Sequence, residues 1–113
     1  MFDKEIQELR GSLGECATIE RGDVMLVRFQ QLPLPPGCRP ASTPVVVRLR
    51  GKERPVVYVR KGIVCPSGEP PRSTSDELVE GEPWMRFSYA FPWQWKDGLL
   101  RFVLTSLLRF RSP

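Results

Sequence analysis

Two runs of β-branched residues, 45–50 (VVVRLR) and 56–61 (VVYVRK), constrain the fold more than any other feature of this sequence. Valine favours the extended chain, and the polar segment GKERP between the runs is short enough for a hairpin turn. Successive side chains of a strand point to opposite faces, so the apolar residues of the first run share one face while Arg48 and Arg50 share the other. The runs therefore predict an antiparallel pair of strands with one buried face and one charged face.

A hairpin and a helix are predicted before this pair. Segments 16–20 and 24–32 are rich in strand-forming residues and flank an Arg-Gly-Asp turn centred on Gly22. Residues 3–13 carry apolar side chains at helical spacing, and Asp3 is the expected N-terminal cap. The first half of the chain is thus expected to form a helix and then a four-stranded antiparallel meander.

The second half is expected to contain a loop and a helix. Residues 65–83 are rich in proline, glycine and small polar side chains, which is typical of a long irregular segment. Residues 97–110 predict a helix capped by Asp97, with one apolar stripe formed by Leu100, Val103, Leu104, Leu107 and Leu108. The expected fold is a single α+β domain over residues 1–113: N-terminal helix, four-stranded antiparallel meander, long irregular active-site loop and C-terminal helix.

Composition excludes several kinds of chemistry. The chain has no histidine, so neither a Ser–His nor a Cys–His nucleophile can form within it. The three cysteines, Cys16, Cys38 and Cys65, are far apart and form none of the close pairs typical of zinc sites. We therefore expect reduced thiols, no metal site and no bound cofactor.

The apolar patterns indicate neither secretion nor a membrane partner. The first ten residues mix acids and bases, and the apolar run 99–110 is interrupted by Arg101 and Arg109. A secretory signal or a membrane span would need a longer uninterrupted apolar stretch. The cytoplasm is therefore the expected location.

Charge is distributed unevenly along the chain, whose formal net charge is +4. Residues 48–61 are basic, while residues 69–82 are acidic. The basic residues near one sheet face, with Tyr58 as a stacking surface, suggest a nucleic-acid-binding domain as one hypothesis. An acidic partner protein is the favoured alternative, because the acidic segment interrupts any continuous basic stripe.

A series of landmarks gives the chain a resemblance to a known family. The tetrapeptide LPPG (34–37) follows the second predicted strand, the two valine runs come next, and a long loop leads to WQWKDGLLRFVLTSLL (93–108). This order resembles the ubiquitin-conjugating-enzyme (UBC) fold, in particular the short bacterial UBC-like proteins of ubiquitination-like operons with a role in antiphage defence. The resemblance implies a transferase-type carrier with two partners, a ubiquitin-like protein and an adenylating activating enzyme.

The resemblance also indicates a catalytic position. In the family a cysteine lies shortly before the tryptophan that precedes the helix, and the matching position here falls on Phe87 and Ser88. No cysteine is nearby, the family's His-Pro-Asn motif is missing, and WMRFS (84–88) is similar to a serine-containing frame in the bacterial relatives. The resemblance thus implies that Ser88 accepts the ubiquitin-like protein as an oxyester. A non-catalytic UBC-like interaction module is the alternative.

A nucleophilic serine needs a group that removes its proton. The acidic loop offers Asp76 and Glu77 as equally placed candidates, whereas Asp97 is expected to be occupied as a helix cap. Cys65, at the end of the fourth strand, is the rival nucleophile. The tryptophans are expected to be packing residues.

Overall fold

A six-stranded antiparallel sheet with two helices packed on one face forms the framework, and the computed structural model describes residues 2–87 and 90–111. Along the sheet the strands have the order β1-β2-β3-β4-β6-β5. The elements are α1 (Asp3–Leu13), β1 (Cys16–Arg21), β2 (Val24–Pro33), β3 (Ser42–Arg50), β4 (Val56–Val59), β5 (Thr74–Val79), β6 (Glu82–Phe87) and α2 (Leu99–Leu108), with short 3₁₀ turns at Trp95–Asp97 and Arg109–Arg111.

The prediction of a four-stranded meander followed by a long irregular loop is wrong. Strands β1 to β4 do pair in sequence, but β5 and β6 form a further hairpin that extends the sheet beyond β4. Strand β5 lies at the edge and is mostly exposed, so its sequence lacks the alternation of a half-buried strand. Its hairpin turn uses Glu80 and Gly81, both with positive φ (49° and 78°). A strand of this kind leaves little signal in a single sequence.

The alternation predicted for the first valine run is confirmed. Val45, Val47 and Leu49 are fully buried on the helix-covered face, whereas Arg48 and Arg50 lie on the other. The hairpin predicted at Gly22 is also confirmed, since β1 and β2 pair around that turn. These local patterns position the main core between the sheet and the helices.

Helix α2 is present, but the apolar stripe predicted for it was rotated. The side chains buried against the sheet are Leu99, Phe102, Val103, Ser106 and Leu107. Leu104 and Leu108 are 42% and 53% exposed. Because apolar side chains together occupy most of the circumference of this helix, its sequence allows more than one apolar stripe, and docking selects among them. Neither α2 nor any other helix within residues 2–87 and 90–111 is long and apolar enough to cross a membrane.

Both predicted aspartate caps were wrong. Helix α2 follows Gly98, and the Asp97 carboxylate instead accepts a hydrogen bond from the Gln94 backbone N–H (2.8 Å) within the preceding 3₁₀ turn. Helix α1 follows Phe2, so Asp3 lies in its first turn. Asp3 can still interact favourably there with the helix dipole.

The uncovered face of the sheet carries a second, smaller apolar cluster. It consists of Leu26, Val46, Val56, Tyr58 and Trp84. Two arginines cover its largest member: the guanidinium carbons of Arg60 and Arg28 lie 4.2 Å and 5.5 Å from the Trp84 ring centroid. The two guanidinium groups thus cover the indole ring of this cluster on its solvent side.

Candidate functional site

The predicted nucleophile Ser88, together with Tyr89, lies outside the described residues. The residues on either side of this gap, Phe87 and Ala90, both line a cavity of about 200 Å³ where β4 begins and β6 ends. The remaining lining residues are Arg54, Pro55, Val56, Arg86, Phe102 and Ser106. This cavity is therefore the candidate site closest in the chain to position 88.

Arg54 is held in place at this cavity by aromatic rings. Its guanidinium carbon lies 4.7 Å from the ring centroid of Phe91 and 5.0 Å from that of Phe102. Its Nη2 also donates a hydrogen bond to the Phe91 carbonyl (2.7 Å). Stacking and hydrogen bonding together fix the orientation of the exposed cation.

Arg86 also lines this cavity, while its guanidinium lies beside Glu77 on the uncovered face of the sheet, opposite Tyr58 in the strand register. Arg86 lies on β6, and its Nη1 is 3.5 Å from a carboxylate oxygen of Glu77. The Ser106 hydroxyl, by contrast, donates to the Phe102 carbonyl (2.9 Å) within α2, so it is already engaged. An otherwise largely apolar cavity with the Arg54 guanidinium at its wall is suited to stabilising negative charge.

The segment after the gap is fixed by an aromatic cluster. The Trp93 ring packs edge-on against Trp95 and Phe102, with centroid distances of 5.1 Å and 5.0 Å. Both indole N–H groups donate to backbone carbonyls, Trp93 to Gly98 (2.9 Å) and Trp95 to Lys52 (3.0 Å). These two tryptophans are thus packing residues, as predicted, and they tie this segment to the turn before β4.

The two predicted bases are both engaged in ion pairs. Asp76 and Glu77 are neighbours on β5 and point to opposite faces of the sheet. Asp76 pairs with the Lys61 ammonium group (3.0 Å). Glu77 pairs with Arg86 and accepts a hydrogen bond from the Tyr58 hydroxyl. Neither carboxylate lines the cavity, so Glu77 is linked to it only through Arg86.

The environment of Tyr58 shows the effect of this network. Burial, together with the hydrogen bond to Glu77, raises the pKa of Tyr58 to about 12. The ring has no exposed surface, so a nucleobase cannot stack on it as the nucleic-acid hypothesis requires.

The rival nucleophile Cys65 is poorly placed for catalysis. It is 1% exposed, and burial raises the pKa of its thiol, which disfavours the reactive thiolate. Burial likewise raises the pKa of Cys38, and Cys16 is half-buried on β1. Within the described part of the chain, no group of three or more metal-binding side chains is arranged to hold an ion.

The basic residues of the uncovered face are paired with acids. These ion pairs include Arg28–Glu82, Arg48–Glu77, Arg50–Asp23, Arg50–Glu53, Arg60–Glu82 and Arg86–Glu77. Pairing of this kind cancels much of the positive potential that attracts a phosphate backbone. The arrangement disfavours nucleic-acid binding on this face.

No protein-family model, curated protein or solved structure matches this chain. The resemblance to the UBC family consequently depends on the sequence landmarks. Sequence reasoning also missed the role of Arg54 and Arg86 at one cavity: it treated Arg54 as part of a basic surface and gave Arg86 no role. The only available signal was that Arg86 lies within the WMRFS segment.

Proposed function

We propose that this chain is a UBC-like carrier that accepts a ubiquitin-like protein from an adenylating activating enzyme, as an oxyester on Ser88. The observation that supports this proposal is the cavity bounded by Phe87 and Ala90, the residues that flank positions 88 and 89. The cavity also contains two arginines, at the point in the chain where the family resemblance expects the acceptor.

The proposed reaction is an acyl transfer. The Ser88 hydroxyl oxygen attacks the carbonyl carbon of a thioester on the activating enzyme, the new C–O bond forms, and the C–S bond breaks. The hydroxyl proton passes to the departing thiolate, so the products are an oxyester and a free thiol. A thioester is already reactive, so this step demands less of a base than amide cleavage does.

Arg54 is the proposed electrostatic group of this reaction. Attack on the carbonyl produces a negatively charged tetrahedral oxygen, which fixed positive groups stabilise most in a site that excludes water. The chain has no histidine or asparagine for this purpose. Phe91 and Phe102 hold the guanidinium of Arg54 in a defined orientation.

The test is formation of a covalent adduct with a ubiquitin-like protein and its adenylating activating enzyme, which the resemblance implies are encoded in the same operon, in the presence of ATP. The wild-type adduct should resist thiol reductant and be cleaved by hydroxylamine, as an oxyester is. Ser88→Ala should abolish the adduct, and Ser88→Cys should convert it to a reductant-sensitive thioester.

Cys65→Ala is the matched control and should form the adduct normally. An adduct that persists in Ser88→Ala and disappears in Cys65→Ala would transfer the role to Cys65. If no variant forms an adduct while both partners are active, the remaining function is that of a non-catalytic interaction module.

A further inference from the structure

Cys38 and Cys65 face each other across two antiparallel segments. Arg39 and Val64 form an antiparallel bridge, in which each backbone N–H donates to the other residue's carbonyl at 2.9 Å and 2.7 Å. In antiparallel register, the residues opposed next to the Arg39–Val64 pair are Cys38 and Cys65. The backbones of these two cysteines are not hydrogen-bonded to each other. The two cysteines are therefore cross-strand neighbours.

A second contact supports the same register one residue further on. A Cβ atom placed on Gly37 would lie 3.1 Å from the Pro66 side chain, so these two residues are also in close approach. The opposed cysteines Cys38 and Cys65 thus lie between the Arg39–Val64 pair and the Gly37–Pro66 pair. Both are free and buried in the main core cluster.

This geometry meets the requirements of a disulfide. Opposed residues in a pair without hydrogen bonds have Cα atoms about 4.5 Å apart, and disulfides span Cα distances of about 4.4–6.8 Å. We propose that Cys38 and Cys65 form a reversible disulfide by exchange with a small-molecule disulfide such as oxidised glutathione. Cys16, on β1, takes no part.

The exchange is balanced in atoms and electrons. One protein thiolate attacks oxidised glutathione, forming a mixed disulfide and releasing one glutathione thiolate. The second protein thiolate then attacks the protein sulfur of this mixed disulfide, the protein disulfide forms, and the second glutathione leaves. The two protein thiols are oxidised, and one glutathione disulfide is reduced to two thiols.

Exposure determines the order of these steps. Cys38 is 6% exposed and Cys65 is 1% exposed, so Cys38 is the thiol that first meets the oxidant and Cys65 resolves the intermediate. The raised pKa values of both thiols make the reaction slow in the native state.

The disulfide would add a covalent bond between two loop segments that noncovalent contacts now hold together. It would link the segment after β2 covalently to the segment after β4, and such a cross-link restricts the unfolded chain. It would also reorient the Cys38 sulfur, which lies 3.6 Å from the carbonyl oxygen of Phe110 in the 3₁₀ turn Arg109–Arg111. We therefore expect the oxidised form to have a higher Tm than the reduced form.

The experiment is incubation of the folded, reduced protein with oxidised glutathione, followed by denaturation and alkylation of the remaining thiols. The reduced chain should take up three alkyl groups, one for each cysteine. The oxidised chain should take up one, on Cys16, and should weigh two hydrogen atoms less before alkylation. Peptide mapping should show Cys38 linked to Cys65, and dithiothreitol should restore both the three labels and the original Tm.

Controls separate this pairing from indiscriminate oxidation. Cys16→Ser should oxidise like the wild type, whereas Cys38→Ser and Cys65→Ser should form no intramolecular disulfide. The same wild-type chain oxidised in denaturant should give a mixture of pairings. The proposal is overturned if the folded chain gives that same mixture, links Cys16, or stays fully reduced under conditions that oxidise the denatured chain. Mapping of the wild type decides this even if a serine variant fails to fold.

Discussion

The Tyr58 hydroxyl on β4 donates a hydrogen bond to the Glu77 carboxylate on β5, across the intervening strand β6. Arg48 on β3 and Arg86 on β6 lie 3.8 Å and 3.5 Å from the same carboxylate. One edge-strand residue is therefore linked to three other strands. This network links the side chains of the edge strand to the sheet in addition to the backbone pairing of β5 with β6.

Replacing Tyr58 with phenylalanine tests the strength of that link. The Tyr58→Phe variant keeps the buried ring and loses only the hydrogen bond, while Glu77 retains its arginine partners. We expect the free energy of unfolding to fall by about 1–2 kcal/mol, which is in the range of a hydrogen bond to a charged group. Urea denaturation at neutral pH measures it. An unchanged stability would mean that water replaces the hydroxyl without loss.

The same residue predicts a dependence of stability on alkaline pH. The pKa of Tyr58 is raised from 10.0 to about 12 in the folded state, so the folded protein holds this proton more tightly than the unfolded chain does. The resulting stabilisation is fully present below about pH 10 and is lost as pH rises towards 12. The stability difference between wild type and Tyr58→Phe should therefore shrink over that interval. Taking the difference between the free energies of unfolding of the wild type and the variant removes the contribution of the lysines, which titrate in the same range.

The orientation of α2 can be tested with a matched pair of leucines. Leu99 has no exposed surface, whereas Leu104 is 42% exposed on the same helix. Leu99→Ala should lower the free energy of unfolding by about 2–5 kcal/mol because it leaves a cavity in the core. Leu104→Ala should lower it by less than about 1 kcal/mol. Comparable losses in the two variants would show that the helix is rotated from the orientation described.

Arg60 should stabilise the uncovered face through packing as well as charge. Its guanidinium covers the Trp84 ring and pairs with Glu82 at 2.8 Å. Arg60→Ala should therefore lower the free energy of unfolding by about 1–2 kcal/mol. Arg72→Ala is the control: Arg72 is exposed, its ion pair with Glu69 measures 3.9 Å, and its loss should change stability by less than about 0.5 kcal/mol. Equal losses of stability in the two variants would mean that the contact of Arg60 with Trp84 does not contribute to stability.

Arg54 should affect the proposed acyl transfer more than the fold. If its guanidinium stabilises the tetrahedral oxygen, Arg54→Ala should slow adduct formation on Ser88 by about 10²-fold or more. Arg101→Ala, an exposed arginine on α2 away from the cavity lining, should leave the rate unchanged. Thermal melting of both variants distinguishes a catalytic effect from unfolding. A wild-type rate in a folded Arg54→Ala variant would remove this residue from the mechanism.

The sequence by itself determined the features that depend on nearby residues. Alternation within 45–50 correctly placed three apolar side chains in the core, because the strand repeat of two residues leaves no other arrangement. Gly22 marked the first hairpin turn because glycine readily adopts the positive φ (62°) of a tight turn. The lack of histidine excluded whole classes of catalysis whatever the fold. The resemblance to a carrier family, and with it the proposal that Ser88 is the acceptor, also rests on the sequence alone and stays a prediction.

Tertiary structure decided the features that depend on distant partners. Strand β5 exists because β6 offers it a free edge, and its own polar residues give no local sign of that pairing. The orientation of α2 was settled by which stripe fits the sheet, since leucines on several sides made the helix ambiguous. Cys38 lies opposite Cys65, and Arg54 and Arg86 line the same cavity. The two residues of each set are far apart in the chain. Such contacts form only when the whole domain closes around them, so no local pattern could have specified them.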